Sequence, residues 1–271
     1  MRLSIPTPNT SVVEIGPLTI HFYALCIITG VALVIWLGNR RFTASDSSLH
    51  GVVSDVAIVA VPMGVIGGRL YHVVTTPEKY FGSSGSLVDI FKIWNGGLGI
   101  WGAISLGTLA ALLTYKRMAR TRELPHFAIF LDALAPALLF AQAIGRWGNW
   151  FNGELFGRPL EAPWALEIPR YLSPAGSEQF ETFHPTFLYE SLWCALLAIV
   201  LLNLPKSLKS GSLFALYIAG YSFGRFFIEG IRIDQAHTIA GLRLNQYVAA
   251  LIALGGIVAF AKISRAQRGR L

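Results

Sequence analysis

Charge is scarce in this chain. Only 14% of its 271 residues are Asp, Glu, Lys or Arg, while 54% are hydrophobic; soluble domains carry about 25% charged residues. That deficit excludes an ordinary water-soluble fold. Cysteine is scarcer still. Cys26 and Cys194 are the only two, both within apolar runs and neither near a second Cys or His at ligand spacing, so buried thiols are expected rather than a disulfide or a metal site. The patterns H-E-x-x-H and the P-loop are absent, which removes the common signs of a zinc protease or a P-loop nucleotide enzyme. No metal and no cofactor is expected. The apolar runs also lack period-two alternation, which argues against a transmembrane β-barrel.

What the chain does have is apolar runs long enough to cross a bilayer, which takes roughly 20 residues. They fall at 18–37, 52–73, 97–115, 127–144, 187–204, 212–231 and 244–263. The expected fold is an all-α integral membrane protein of about seven transmembrane helices, one domain over residues 1–271, with an extracytoplasmic cap over 145–186. The fourth run is short and rich in Ala and Pro, and small residues there favour close helix contact. Met1 to Pro17 is polar with a single Arg2, and no small-residue cleavage site ends the first run, so that run reads as a retained span. No internal repeat is visible, which weighs against repeat-built transporters.

The net charge of +7 has a topological explanation. Arg40 and Arg41 follow run one; Lys116, Arg117, Arg120 and Arg122 follow run three. Lys206 and Lys209 follow run five, and Lys262, Arg265, Arg268 and Arg270 follow run seven. These are twelve of the 22 basic residues. Basic short loops face the cytoplasm, so the C-terminus is expected inside and the N-terminus outside. Anionic lipid accounts for the basic excess, and no nucleic-acid partner is implied. The stretch 145–186 then lies outside, and its Pro159, Pro163, Pro169 and Pro174 call for ordered turns.

Polar side chains concentrate in a few places. Residues 145–157 read G-R-W-G-N-W-F-N-G-E-L-F-G, placing Arg146, Asn149, Asn152 and Glu154 beside a lipid-soluble run. Ionisable groups at membrane depth are costly and default to function. A guanidinium with amides and open glycine backbone suits an oxyanion. Further clusters are I-H-F-Y-A-L from Ile20, G-G-R-L-Y-H from Gly67, W-N-G-G-L-G-I-W-G from Trp94, H-P-T-F-L-Y-E from His184 and G-Y-S-F-G-R-F-F-I-E-G-I-R from Gly220. The expected topology puts all of them toward the outer leaflet. In the last cluster, Tyr221, Arg225, Glu229 and Arg232 share an arc of roughly 80° on one helix face. An Arg225–Glu229 pair could serve only to hold helices together, yet an exposed i,i+4 pair contributes about 0.3–0.5 kcal/mol against an insertion cost of roughly 2.5–3.5 kcal/mol for Arg. Arg69 divides evenly between anion binding and a structural role, with Gly67 and Gly68 there for helix contact. Gly96 and Gly97 read as a turn. His184 and His21 are candidate polar groups; His50, His72, His126 and His237 read as interfacial surface.

With these residues in view, the chain resembles the prolipoprotein diacylglyceryl transferases. The block at 145–157 matches that family's signature G-R-x-G-N-F-x-N-x-E-x-x-G, with Trp150 where Phe is usual. The clusters H-F-Y, G-G-R, W-x-G-G, H-P-x-x-L-Y-E and R-x-x-x-E-x-x-R follow in the family's order over nearly the whole chain. The resemblance implies transfer of the diacylglyceryl group of phosphatidylglycerol to the lipobox cysteine thiol of a preprolipoprotein at the outer face of the bacterial cytoplasmic membrane, with release of glycerol-1-phosphate. It assigns the phosphate to Arg146 and Arg225 and an essential role to Tyr23. Asn149, Glu154, Gly157, Glu229 and Arg232 match positions on which the family depends. Glu229 would hold Arg225 or take the thiol proton. One departure stands out: Trp101 occupies the place of a histidine proposed as the base in other members. Competing readings are an anion transporter, which needs polar residues through the full membrane depth, and a non-catalytic lipid-binding scaffold.

Overall fold

The computed structural model describes residues 4–16, 18–44, 46–82, 85–174, 176–205 and 207–268. Arg2, Pro17, Lys206 and Arg270 of the sequence reading lie outside the described residues. A hairpin of β1 (Val12–Ile15) and β2 (Leu18–His21) leads directly into helix α1 (Phe22–Phe42). Then come α2 (Val52–Thr75), α3 (Ile100–Met118) and α4 (Phe127–Asn152). A short antiparallel pair, β3 (Leu166–Glu167) with β4 (Thr182–Phe183), precedes α5 (Thr186–Leu202) and α6 (Ser212–Ile231). A second pair, β5 (Thr238–Ile239) with β6 (Leu242–Arg243), opens α7 (Leu244–Arg268).

Each apolar run of the sequence is carried mainly by a helix. Among the described residues four helical segments are long and apolar enough to cross a membrane: Phe22–Phe42, Ser47–Thr75, Phe127–Asn152 and Leu244–Arg265. Helix α5 is short at 17 residues, and α6 exchanges apolar positions for Tyr221, Arg225 and Glu229. The molecule is a mostly helical polytopic membrane protein, with three two-stranded sheets and no separately defined cap among the described residues. The boundary of α4 differs from expectation. It runs past Ile144 to Asn152 and stops where Gly153 adopts φ +60°, so the first half of the polar block is helical.

The chain forms two compact units, Met1–Gly38 with Ala128–Leu271, and Asn39–Phe127. In the second, α2 and α3 meet through glycine. A Cβ on Gly67 would lie 2.3 Å from the Gly102 carbonyl oxygen, and one on Gly102 would lie 2.1 Å from that of Gly67. Only glycine permits this backbone approach. The same unit settles the role of Arg69. Its guanidinium donates to the carbonyls of Ile90 (2.8 Å), Gly96 (2.6 Å), Gly97 (2.9 Å) and Lys92 (3.3 Å), and to that of Asp89. Five main-chain acceptors saturate it, and it fastens the turn-rich segment before α3. Gly96 and Gly97, both at φ +80°, shape that turn. Trp101 stands, partly exposed, in the first turn of α3.

In the larger unit Ala135, Leu139 and Ala143 of α4 pack with Cys194, Ala198 and Leu201 of α5. Helix α6 lies against α7 where Gly256 meets Ala215 and Ala219. The N-terminus of α6 has no cap from its own Gly211 side. Asp132 of α4 supplies it, accepting from the amides of Gly211 (2.6 Å) and Phe214 (2.8 Å). A carboxylate here satisfies orphan donors and complements the helix dipole. Asp132→Ala should cost about 1–2 kcal/mol, seen as a lower melting temperature in detergent with catalytic rate at low temperature retained. An unchanged melting curve would show the cap to be dispensable.

Candidate active site

The link 153–185 between α4 and α5 is anchored by its own apolar cluster of Phe156, Leu166, Ile168, Phe183 and Phe187. Two crossings fix it to the helix ends. The amide of Gly157 donates to the His184 carbonyl, and that of Arg158 to the Ile231 carbonyl, both at 2.9 Å. A Cβ on Gly157 would come within 2.8 Å of His184 Cβ and 2.9 Å of Ile231 O. Gly157 thus acts by letting two backbones cross beside Arg232, with which it forms a bridge. Leu155, at φ +59°, is a strained non-glycine residue, held where the Thr186 hydroxyl donates to its carbonyl.

This folding brings the ends of α4 and α6 and the starts of α5 and α7 to one place, and an ion-pair network fills it. Glu190 of α5 lies at its centre. One of its oxygens is 2.7 Å from Arg146 Nη2 and accepts from the Tyr221 hydroxyl at 3.1 Å; the other accepts from Arg225 Nη1 at 2.9 Å. Arg225 also pairs with Glu229 at 2.5 Å. Glu229 has no exposed surface and is further met by Arg232 (3.4 Å), Arg243 (3.0 Å) and the Asn245 amide (3.2 Å). Asp234 closes the outer edge, accepting two bonds from Arg232 (2.7 and 2.8 Å) and one from Arg243 (2.9 Å). Burial works against the charge of Asp234, but the two arginines outweigh it and hold the carboxyl below its usual range.

On the α4 side, Arg146 donates to Asn149 Oδ1 (3.4 Å), and Asn149 in turn donates to Glu154 (2.9 Å), which also accepts from Asn152 (3.1 Å). Tyr23 of α1 lies directly over Gly148, where a Cβ would fall 2.4 Å from its ring. Gly148→Ala must push that ring aside. Displacements of about 1 Å can cost up to about a hundredfold in rate, so a tenfold or greater fall in turnover with an unchanged melting curve is expected; full activity would detach Tyr23 from the chemistry. A cavity of about 10 Å³, room for roughly one water, is lined by Arg146, Asn149, Leu155, Thr186, Phe187, Glu190 and Arg232.

Exposure sorts the arginines. The side chains of Arg146 and Arg225 retain 23% and 19% of their surface, whereas Arg232 and Arg243 are nearly enclosed at 8% and 10%. The first pair can meet a ligand, and the second holds Glu229. The network of Arg146, Arg225, Arg232 and Arg243 with Glu190, Glu229 and Asp234 carries one more cation than anions. His184 stands at the edge, its Nδ1 3.1 Å from the Tyr189 hydroxyl. Burial, with help from the Arg158 charge, lowers its affinity for a proton.

Of the residues singled out in sequence, Arg146, Asn149, Glu154, Arg225, Glu229 and Arg232 join one connected set, Tyr23 borders it, and Gly157 shapes its frame. The sequence reading holds Glu190 only as the last residue of the H-P-T-F-L-Y-E cluster, without a role of its own, and misses Arg243 and Asp234. A signal for Glu190 existed, since it is the one acid in the apolar run of α5. Arg243 and Asp234 lie in the link before α7, which offers no such contrast.

Fold and site together define a polytopic membrane protein with a buried arginine–carboxylate network where four helices meet. A model of the prolipoprotein diacylglyceryl transferase family matches residues 10–262. Phosphatidylglycerol–prolipoprotein diacylglyceryl transferase 2 of Streptomyces coelicolor is 51% identical over 255 residues, covering 93% of this chain and 78% of its own length. The transferase of Cutibacterium acnes is 47% identical over 266 residues, with 97% and 88% covered, and that of Bifidobacterium adolescentis 46% over 275 residues, with 96% and 80% covered. The chain belongs to the prolipoprotein diacylglyceryl transferase family.

Proposed function

We propose that this protein transfers the diacylglyceryl group of phosphatidylglycerol to the lipobox cysteine thiol of preprolipoproteins, forming a thioether and releasing glycerol-1-phosphate. The observation that carries this reading is the pair of accessible guanidiniums, Arg146 and Arg225, brought within reach of a single carboxylate among apolar helices. Two cations that can share one carboxylate can share one phosphate.

The reaction is a displacement. The thiol sulfur attacks the glycerol carbon, the S–C bond forms, the C–O bond to phosphate breaks, and the thiol proton is balanced on the departing glycerol-1-phosphate. Arg146 and Arg225 stabilise the charge that grows on the leaving phosphate and favour the thiolate. A free thiol has a pKa of about 8.5, and its small thiolate fraction at pH 7 is already strongly nucleophilic. Asn149 and Tyr23 orient the headgroup. Glu154 fixes Asn149, and Gly157 sets the frame of Arg232. Glu229, surrounded by three arginines and an amide, holds Arg225 and is too enclosed to collect the thiol proton.

In the membrane, residues 1–271 act as one multi-pass catalytic domain of the bacterial cytoplasmic membrane with seven crossings. The N-terminus lies outside and the C-terminus in the cytoplasm. Residues 145–186 cap the site, which faces the outer leaflet. The basic residues in the last turns of α1 and α3, those just after α3, and Lys262 and Arg265 toward the end of α7 support this orientation.

The test is incubation of the purified protein with phosphatidylglycerol vesicles and a lipobox peptide, following peptide mass. A diacylglyceryl mass gain on the cysteine peptide, and none on its serine counterpart, is expected. No gain in the presence of intact lipid binding would leave a lipid-binding scaffold instead.

A further inference from the structure

The arginine clamp leaves Glu190 without a task, although it is the most central group of the site. A carboxylate and a phosphate offer a pair of guanidiniums the same thing, two anionic oxygens on one centre. Glu190 makes that offer to both arginines at once, at 2.7 and 2.9 Å. Beside it the cavity measures about 10 Å³, space for about one water and not for a phosphate group.

We propose that Glu190 is a built-in competitor for the phosphate. It occupies the seat between Arg146 and Arg225, yields it when the headgroup binds, and reclaims it as glycerol-1-phosphate leaves. This inference rests on the arginine clamp proposed above. Its neighbours fit such an exchange. The Tyr221 hydroxyl already donates to Glu190 and can keep one hydrogen bond on the carboxylate after the arginines let go. Once exchanged, Glu190 faces the phosphate as a like charge, which loosens the hold on the product. Glu229 cannot play this part, because it is fully enclosed and met by three arginines.

A positioning residue that also competes has an unusual signature. If Glu190 only held the arginines in place, removing its charge would weaken anion binding. If it competes, removing its charge strengthens binding. In Glu190→Gln, studied as the full chain in detergent micelles, calorimetric titration with glycerol-1-phosphate should show affinity raised by about tenfold or more. KM for phosphatidylglycerol should fall, and kcat should fall with it as product is retained. Glu190→Asp keeps the charge but is too short to span both guanidiniums, and should move affinity the same way by a smaller factor; it serves as the second variant if Gln disturbs folding. Weaker binding in both variants, in step with a lower melting temperature, would overturn the competitor and leave Glu190 as a structural tie. Wild-type protein that fails to bind glycerol-1-phosphate would remove the clamp itself, a result distinct from a clamp that binds but does not tighten in the variants.

Discussion

Arg146→Ala and Arg225→Ala should each lower diacylglyceryl transfer by at least a hundredfold. Each guanidinium would supply charge-assisted hydrogen bonds to the leaving phosphate, contributing about 1.5–3 kcal/mol apiece, and each 1.36 kcal/mol of lost transition-state stabilisation is about tenfold in rate. Two bonds from one arginine therefore span two decades or more. The loss has a second component. Either substitution strips Glu190 of one of its two arginines, leaving a buried carboxylate half-compensated beside the incoming phosphate. Lysine should rescue little, because a point charge cannot reproduce a planar fork shared between two acceptors. Steady-state transfer assays on variants shown to melt normally decide this. Retention of more than a tenth of wild-type activity by either alanine variant would show that the phosphate is held elsewhere.

Glu229→Ala should act on the fold before it acts on the chemistry. The side chain has no exposed surface, and Arg225, Arg232, Arg243 and Asn245 all converge on it. A buried ion pair adds little over an apolar replacement of both partners, but removing one partner alone costs about 3–5 kcal/mol, since the opposite charge is left buried. Here Arg232 and Arg243 are left to share Asp234, and Arg225 keeps only Glu190. That is a large share of a typical stability of about 5–15 kcal/mol. Poor accumulation of folded protein and a melting temperature depressed by many degrees are expected. Glu229→Gln, which keeps the shape and the Asn245 contact, should fold better than Ala yet remain impaired because the charge is gone. A melting curve for Glu229→Ala within a degree or two of wild type would show that the arginines find other partners.

Much of the site was legible along the chain, for physical reasons. Tyr221, Arg225, Glu229 and Arg232 share a helix face through the 3.6-residue period, so their common contacts follow from spacing. Arg146 and its amides stood out against lipid-soluble surroundings. Long-range pairing was not legible. Nothing local links Glu190 to Arg146 and Arg225, 44 and 35 residues away, and Arg243 reaches Glu229 only because β5 and β6 turn the chain back. The end of α4 was misplaced because Gly145, Gly148 and Asn149 favour a break by propensity. Tertiary contact overrides that preference, since Gly148 is the spot on which the Tyr23 ring rests and the helix ends five residues later at Gly153. Arg69 is a further case. In sequence it divides evenly between an anion ligand and a structural role, and only the fold, with five carbonyls around it, decides for the latter.

The most direct measurement is equilibrium binding of glycerol-1-phosphate to the wild type and to the Arg146→Ala and Arg225→Ala variants, followed by phosphorus NMR in micelles. Arginines that hold the leaving phosphate give one-to-one binding in the wild type, displaced by phosphatidylglycerol and weakened tenfold or more in each variant. Undiminished binding in both variants, with transfer nonetheless lost, would place the phosphate away from the arginines and reduce their network to a brace for the helices.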